Sequence, residues 1–443
     1  MPARASTSSP KRAVAALLGA AFIAATAGIL YAAVRPAAVR ERAAVATAET
    51  ARLWSAYTDW EPTLAVDPAS RDVYQLTTRY NGPRACVGCA KPFIIFRRSR
   101  DGGATWLPDQ YLYASHISEY DPQIRVSNDG TVYAAFLQGF QPGVTFVKST
   151  DRGATWSAPI VFTRTASVLS WNDRPALAIS PSGRDVYLAF NHSDSWIVAS
   201  HDYGRTFAAP QKTNNDRRYY FHSAGTVAPN GAVYFTAQDY SQNYRGPVNI
   251  DVIRSTDGGR SWSTVRVDRS QEVPGCKGVP GCYYGFLGPD GGLAADAAGK
   301  LVLAYNANDA PHAAQQIWVR TSDDAAHWSA RERLSAADPA ANNGYPWVAA
   351  GARPGDVRVV WMGTSRDGLW NVWYRRRDGN AWSAPLRFSN ARGGAPYQHP
   401  GGFEFPYGDY LGAAVDAGGT LHAVWGEGPN RKNPGGSWYT RAQ

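Results

Sequence analysis

The chain has 443 residues, of which 44% are hydrophobic and 12% aromatic, with 16 Trp and 43 Gly. This composition excludes a disordered chain and is typical of a well-packed, turn-rich β protein. The net charge of +9 falls to +4 once residues 1–46, which hold six Lys or Arg and one Glu, are set aside. A charge that small does not indicate a nucleic-acid-binding protein.

An apolar segment of 22 uncharged residues, 13–34, follows the amino terminus. Its length is sufficient to cross a bilayer. It favours an uncleaved signal anchor over a cleaved signal peptide, because the nearest small-x-small site, at 44–46, lies well beyond it. We expect residues 1–12 to be a cytoplasmic or n-region, 13–34 the anchor or signal helix, 35–50 a linker, and 51–443 an exported domain.

Four cysteines form two local pairs, Cys86 with Cys89 and Cys276 with Cys282. In an exported chain without a βαβ pattern, two disulfides that staple loops are favoured over a redox CxxC motif or a zinc site. We therefore predict two disulfides, no metal and no cofactor.

One octet recurs along the chain. Ser99–Trp106, SRDGGATW, returns as STDRGATW (149–156), SHDYGRTF (200–207), STDGGRSW (255–262), more loosely as TSDDAAHW (321–328), and in shortened form as RRDGNAW (376–382). Asp followed by Gly suits a turn, because Asp accepts bonds from the backbone and Gly adopts positive φ. The candidate turn aspartates are Asp101, Asp151, Asp202, Asp257, Asp323 and Asp378.

Strand-like phrases surround each octet. A first strand ends in LAVD, IRVS, LAIS, GTVA, LAAD, VAAG or AAVD, and a second strand such as DVYQLTT or TVYAAFL follows after a turn. Seven such units predict an all-β, seven-bladed β-propeller of four-stranded blades, with six blades as the second choice. The last unit ends after its third strand, so we predict that the segment ARLWSAY (51–57) completes it and closes the ring.

The octets resemble the Asp-box, or BNR, repeats (S-x-D-x-G-x-T-W) of the sialidase-like superfamily, and the resemblance covers roughly residues 60–443. Repeated boxes indicate that fold but do not fix an activity. Since alternate connections of a propeller lie on opposite faces, we expect the boxes on one face and the site on the other.

The candidate site lies where the first strands begin. Six residues before each first-strand end the sequence has Glu61, Asp121, Arg174, His222, Asp290, Tyr345 and Tyr410, with Asp173 and Asp409 one residue earlier in their blades. We expect these residues to surround the mouth of the central channel and bind substrate. Arg125 is a further candidate, because most other blades have Ala at its position.

The resemblance implies three arginines for the sugar carboxylate, an acid/base Asp, and a Tyr nucleophile assisted by Glu. Blade 1 should hold the first arginine and the Asp. It has Glu61 instead, and no acidic residue occurs between Val73 and Arg100. The alternative set is Arg174 for the carboxylate, Asp194 as acid/base, and Tyr410 or Tyr407 with Glu404 as nucleophile and partner.

The sequence thus predicts an exported propeller that recognises a glycan or another cell-envelope ligand at the channel mouth, without sialidase chemistry of the family type. Two alternatives remain: an exo-acting glycoside hydrolase of sialidase-like type, and a scaffold that docks a protein partner. We expect no nucleic-acid partner, and contact with a membrane only through the helix 13–34.

Overall fold

A computed structural model describes residues 47–443 except 56, 140–142, 163–172, 193, 242–245, 273–289, 337–340, 365–369, 380, 390–410 and 428–435. The described residues form seven antiparallel sheets, so the seven-bladed prediction is confirmed and the six-bladed alternative is wrong. The predicted helix 13–34 lies outside these residues, and no membrane-spanning helix occurs among them.

The described residues contain 29 β-strands. They are β1 (Arg52–Leu53); β2 (Asp59–Val66), β3 (Val73–Arg79), β4 (Phe93–Ser99) and β5 (Gln110–Tyr111) of blade 1; β6 (Glu119–Val126), β7 (Val132–Gln138), β8 (Val144–Ser149) and β9 (Ile160–Val161) of blade 2; β10 (Ala176–Ile179), β11 (Val186–His192), β12 (Asp194–Ser200) and β13 (Gln211–Lys212) of blade 3; and β14 (Tyr219–Val227), β15 (Val233–Tyr240), β16 (Val248–Ser255) and β17 (Ser263–Ser270) of blade 4. Blade 5 has β18 (Gly291–Ala295), β19 (Leu301–Ala307), β20 (Gln316–Ser322) and β21 (Glu332–Arg333); blade 6 has β22 (Asn343–Ala350), β23 (Val357–Thr364), β24 (Trp370–Asp378), β25 (Ala381–Trp382) and β26 (Leu386–Arg387); blade 7 has β27 (Gly412–Val415), β28 (Leu421–Glu427) and β29 (Gly436–Ala442).

The ring closes as predicted. Strand β1 pairs antiparallel with β29 and supplies the fourth strand of blade 7, with Arg52 opposite Tyr439. Glu49 extends this seam, because its carboxylate forms an ion pair with Arg441 at 2.5 Å. A cavity of about 350 Å³ lies beside the seam and is lined in part by Thr47, Arg71 and Gly102, on the face that carries the first box.

The hydrophobic core lies between the blades. Second strands such as β3, β7 and β19 are buried along their whole length, because both faces of each sheet pack on a neighbour. Tyr74 and Phe96 of blade 1, for example, pack with Ile124 and Phe136 of blade 2. Six further clusters join the remaining pairs of blades, and one of them, around Leu64 and Tyr439, joins blade 7 to blade 1.

Each box forms the turn after a third strand. In the first box, Asp101 Oδ1 accepts the backbone N–H of Thr105 at 2.8 Å, and Asp101 Oδ2 accepts the Thr105 hydroxyl at 2.6 Å. These bonds hold the pKa of Asp101 well below its usual range. Asp151, Asp202 and Asp257 accept the same pair of bonds in their own boxes.

The boxes also join neighbouring blades. Trp156 of the second box packs on Phe96 of blade 1, with ring centroids 5.2 Å apart, and Trp106 of the first box packs on Tyr439 of blade 7 at the same distance. A Cβ added at Gly103 would lie 1.8 Å from the Tyr439 hydroxyl, so only glycine fits there. The octet therefore fixes a turn and also docks it against the preceding blade.

In the fifth box, the prediction of Asp323 as the turn aspartate is wrong. Asp324 Oδ1 accepts the backbone N–H groups of Ala326 and His327, both at 2.8 Å, whereas the Asp323 side chain is 79% exposed and pairs with Lys300. The turn is one residue shorter than the others, because it begins at Ser322, whose hydroxyl accepts the N–H of Ala325. The sixth candidate, Asp378, ends β24, and its side chain lies outside the described residues.

Two sets of contacts define the two faces of the ring. The turn after β2 touches the first box, where the N–H of Gly102 donates to the carbonyl of Arg71 at 2.8 Å. On the opposite face, the N–H of Ala90, in the loop after β3, donates to the carbonyl of Ser115 before β6 at 2.9 Å. The starts of the first strands therefore lie on the face away from the boxes.

Candidate functional site at the channel mouth

The mouth ring consists of the residues that lie six positions before the first-strand ends. The described members are Glu61, Asp121, Arg174, His222, Asp290 and Tyr345. Five of them are less than a tenth exposed, and Arg174 is half-buried. Tyr410, and with it Asp409, Tyr407 and Glu404, lies outside the described residues, so their proposed roles remain predictions.

Three members of the mouth ring share an unusual backbone conformation. Glu61, Asp121 and Tyr345 have φ values of 52°, 53° and 53°, in the left-handed region that disfavours residues with a Cβ. Each lies in a β-bulge, where the register of the first strand shifts against the second. Bulges of this kind re-aim side chains and are frequent beside functional sites.

A sequence signal for these bulges is present. Each of the three residues precedes a proline, at positions 62, 122 and 346. Proline has no N–H to donate to a β-ladder, so regular pairing is interrupted there. These bulges were not among the features predicted from the sequence.

Arg174 and Asp290 meet across the ring. Arg174 Nη2 donates to Asp290 Oδ1 at 2.8 Å, and each side chain is 11% exposed. The two residues belong to blades 3 and 5, which are not neighbours, so this ion pair spans the interior of the ring. The Asp173 carboxylate does not replace Asp290 as the partner; its Oδ1 accepts the backbone N–H of Arg174 at 2.7 Å.

Asp194 is held within its own blade. Its carboxylate forms an ion pair with Lys212 Nζ at 2.7 Å and accepts a hydrogen bond from Asn214 Nδ2 at 2.9 Å. In the described part of the chain, no hydrogen bond joins Asp194 to Arg174. The structure thus does not bring together these two members of the alternative catalytic set.

His222 lies in the core between blades 3 and 4. Its Nδ1 is 3.3 Å from the carbonyl oxygen of Thr236 and its Nε2 is 3.0 Å from Ser195 Oγ. Because a carbonyl only accepts, Nδ1 carries the proton and Nε2 accepts the Ser195 hydroxyl. Burial lowers the pKa of His222 to about 4, so the ring is neutral at pH 7.

Two acids at the starts of blades 1 and 2, Asp59 and Glu119, were not predicted as candidate residues. Asp59 binds Arg79 through two bonds of 2.7 and 2.9 Å. The equivalent Glu119 accepts only the N–H of Ile94 at 2.9 Å, and burial raises its pKa to about 8. The repeated pattern acid-aromatic-acid-Pro, as DWEP and EYDP, is the signal that locates both.

Blade 4 holds a second buried acid that the sequence analysis missed. Burial, and then the nearby Asp239, raise the pKa of Asp251 to about 7. Arg266 Nε lies 3.2 Å from Asp251 Oδ1 and Arg218 Nε lies 3.0 Å from Asp239 Oδ2. Neither aspartate is more than 1% exposed, so this cluster does not present a carboxylate to solvent.

Arg125 is placed inside the ring. Its guanidinium carbon lies 5.6 Å from the centroid of the Trp347 ring in blade 6, and its Nη1 donates to the carbonyl of Ile124 at 2.8 Å.

The structure contains a disulfide between Cys86 and Cys89, in the loop after β3. Cys276 and Cys282 lie outside the described residues, so their pairing remains a prediction. No group of three or more His, Cys, Asp or Glu side chains placed to hold a metal ion is found among the residues that the structure describes.

Comparisons with known proteins agree with this fold. No protein-family model matches the chain. A xyloglucanase of Acetivibrio thermocellus is 24% identical over 257 residues, which is 51% of this chain and 29% of the relative; a sialidase of Micromonospora viridifaciens is 25% identical over 308 residues, which is 60% of this chain and 44% of the relative. The matched part is thus less than half the length of either relative.

Among solved structures, an ulvan lyase of a polysaccharide lyase family superposes with a TM-score of 0.52 at 12% identity, covering 86% of this chain and 93% of the lyase. This likeness supports the propeller fold alone. The sialidase relative agrees with the resemblance in the repeats: the chain is a seven-bladed β-propeller that is similar to sialidase-like propellers.

Proposed function

We propose that this protein is an exported propeller, anchored through residues 13–34, that binds a glycan or another cell-envelope ligand at its channel mouth without sialidase chemistry of the family type. The observation that carries the proposal is the ion pair between Arg174 and Asp290, which brings residues of two separated blades together inside the mouth ring.

The chemistry of the mouth ring suits sugar hydroxyls. Carboxylates such as Glu61 and Asp121 accept hydrogen bonds and a guanidinium donates them, so together they match a ligand that does both. The bulges fix these side chains before any ligand binds, which reduces the ordering that binding requires. The names of the sequence relatives, a xyloglucanase and a sialidase, also point to carbohydrate.

Three features argue against family-type sialidase chemistry. Glu61 stands where the resemblance implies an arginine, and it would repel a sugar carboxylate. Arg174, the alternative residue for binding the sugar carboxylate, already forms an ion pair with Asp290. Asp194, the alternative acid/base, already forms an ion pair with Lys212.

A glycan array tests the proposal. The whole chain, purified in detergent, is applied to neutral, amino, sialylated and sulfated glycans, and the best ligand is then titrated. Arg174→Ala should weaken binding roughly tenfold or more, as expected for the loss of a charge-assisted hydrogen bond. Arg260→Ala, on an exposed box turn of the opposite face, is the matched control and should bind as the wild type does. Saturable binding that survives Arg174→Ala unchanged would contradict a site at the mouth.

Glycoside hydrolysis is the second candidate, because both sequence relatives carry the names of glycosidases. A fluorogenic sialoside and a panel of other aryl glycosides test it. Turnover that Arg174→Ala abolishes would replace the binding proposal with this one. Neither turnover nor glycan binding, with specific capture of an envelope protein, would favour the scaffold instead.

A further inference from the structure

Arg125 occupies a position that is otherwise held by small residues. It lies two residues before the end of its first-strand phrase, and the equivalent residues of the other blades are Ala65, Ala178, Thr226, Ala294, Ala349 and Ala414. At this position of the seven first strands, Arg125 is therefore the one long and the one charged side chain.

The Arg125 side chain reaches across the interior. Its contact, Trp347, belongs to blade 6, which is separated from blade 2 by blades 7 and 1. A hydrogen bond to blade 7 holds the Trp347 indole, because its Nε1 donates to the carbonyl of Ala413 at 2.7 Å. The guanidinium thus faces one aromatic ring, and a cation held over such a face is attracted to it.

The charge of Arg125 lacks a counter-ion in the described residues. Its one hydrogen bond goes to the carbonyl of Ile124, and no described Asp or Glu oxygen lies within 4.0 Å of its nitrogens. Arg79 and Arg174, by contrast, each bind an aspartate. Burial lowers the pKa of Arg125 to about 10, so it stays charged at pH 7.

We propose that a small monovalent anion, of the size of chloride or of a carboxylate group, binds the guanidinium of Arg125 in the central channel. A buried cation is costly unless it is paired, and most of the five N–H groups of this guanidinium remain available for hydrogen bonding. Arg125 keeps part of its surface accessible to solvent. Arg125 is not a member of the mouth ring, and anion binding to it does not require that a glycan binds there.

Thermal unfolding in three sodium salts at equal ionic strength tests the site. In bromide or acetate, the wild type should unfold roughly 2–4 °C higher than in gluconate, a larger anion, and the shift should saturate. Arg125→Met should lack this saturable shift and keep only the general response to the salts. In gluconate this variant should be at least as stable as the wild type, because it removes an unpaired charge.

Controls separate this effect from general salt effects. Arg260→Met, on the exposed fourth box turn, should respond to the salts as the wild type does. Equal salt responses of wild type and Arg125→Met would overturn the proposal. A response to acetate alone would support it and identify a carboxylate as the occupant.

Crystals grown in sodium bromide locate the anion directly. An anomalous peak should lie at the Arg125 guanidinium in the wild type and be absent in Arg125→Met. A peak without any bromide-dependent stabilisation in solution would show an adventitious ion only and would overturn the proposal.

Discussion

The starts of blades 1 and 2 carry the same sequence pattern and yet differ in charge. Residues 59–62 and 119–122 both read acid, aromatic, acid, proline, and both form a bulge with a left-handed third residue. The first acid of each pattern has a different cross-strand neighbour: Asp59 lies opposite Arg79, whereas Glu119 lies opposite Gln138. Asp59 is therefore ion-paired, and Glu119 is buried without a counter-ion.

This comparison separates two causes. The backbone follows from the local pattern, because proline interrupts the ladder at the same point in both strands. The charge state follows from the residue across the sheet, which the pattern does not contain. Substitutions at these positions test each cause separately.

The largest expected effect comes from Arg79→Gln. This substitution places a glutamine opposite the acid of blade 1, as Gln138 lies opposite the acid of blade 2. The Asp59 side chain is fully buried, so it loses its counter-ion and cannot gain water. We expect the free energy of unfolding at pH 7 to fall by about 3–5 kcal/mol, measured by urea denaturation. Arg71→Gln, at an exposed site, should change it by less than about 0.5 kcal/mol. A loss below about 1 kcal/mol for Arg79→Gln would show that Asp59 does not need the pair.

The second effect is the pH dependence caused by Glu119. Its pKa is about 8 in the folded state and near the ordinary value when unfolded, so the folded state retains a proton that the unfolded state releases. Stability is therefore greatest below about pH 4.5 and is lost as the pH rises towards 8, by about 4–5 kcal/mol for this group.

Glu119→Gln, followed by denaturation from pH 5 to pH 9, measures this contribution. The variant should lose less stability over that range than the wild type does. Asp251→Asn is a useful comparison, because the raised pKa of Asp251, about 7, acts in the same direction at lower pH. Identical pH profiles for Glu119→Gln and wild type would contradict a buried neutral carboxyl at Glu119.

A third substitution, Gln138→Arg, places an arginine opposite Glu119 of blade 2, as Arg79 lies opposite Asp59 of blade 1. The new guanidinium would lie opposite Glu119 and favour its ionised form, at the loss of the bond from Gln138 Nε2 to Ser115. We expect the variant to be more stable than the wild type at pH 9 by about 1–2 kcal/mol. The double variant with Glu119→Gln should lose that gain; if it keeps the gain, the arginine acts through another contact.

The smallest effect tests the shared backbone. At Glu61 and at Asp121, Gly should give a more stable protein than Ala by about 1 kcal/mol, because only Gly adopts the left-handed conformation without strain. Both substitutions remove the side chain, so their difference isolates the backbone. Ala65→Gly, in the regular part of β2, should have the opposite sign, and thermal unfolding of the set compares them.

Much of the fold was predictable because its causes are local. The octets marked the turns after the third strands, and the alternating phrases between them set the number of blades. The missing fourth strand of the last unit predicted that residues near Arg52 would pair with β29. The error at Asp323 has a local cause too, since one residue fewer in the turn moved the aspartate to position 324.

The site was predictable only in part. The register of the first strands placed Glu61, Asp121 and Arg174 in one ring, but it did not show what each of them would touch. Arg174 and Asp290 are 116 positions apart, and their ion pair depends on where blades 3 and 5 stand in the closed ring.

The sequence by itself determined the strands, the turns, the closure and the bulges, because proline, glycine, aspartate and the two-residue period act over a few positions. Only the tertiary structure decided which charges are paired. Burial raises the pKa of Glu119, which has Gln138 and not an arginine across from it, and Arg125 contacts Trp347 of a blade that is not its neighbour. Charge depends on the local dielectric and on partners from distant strands, and these exist only once the ring has closed.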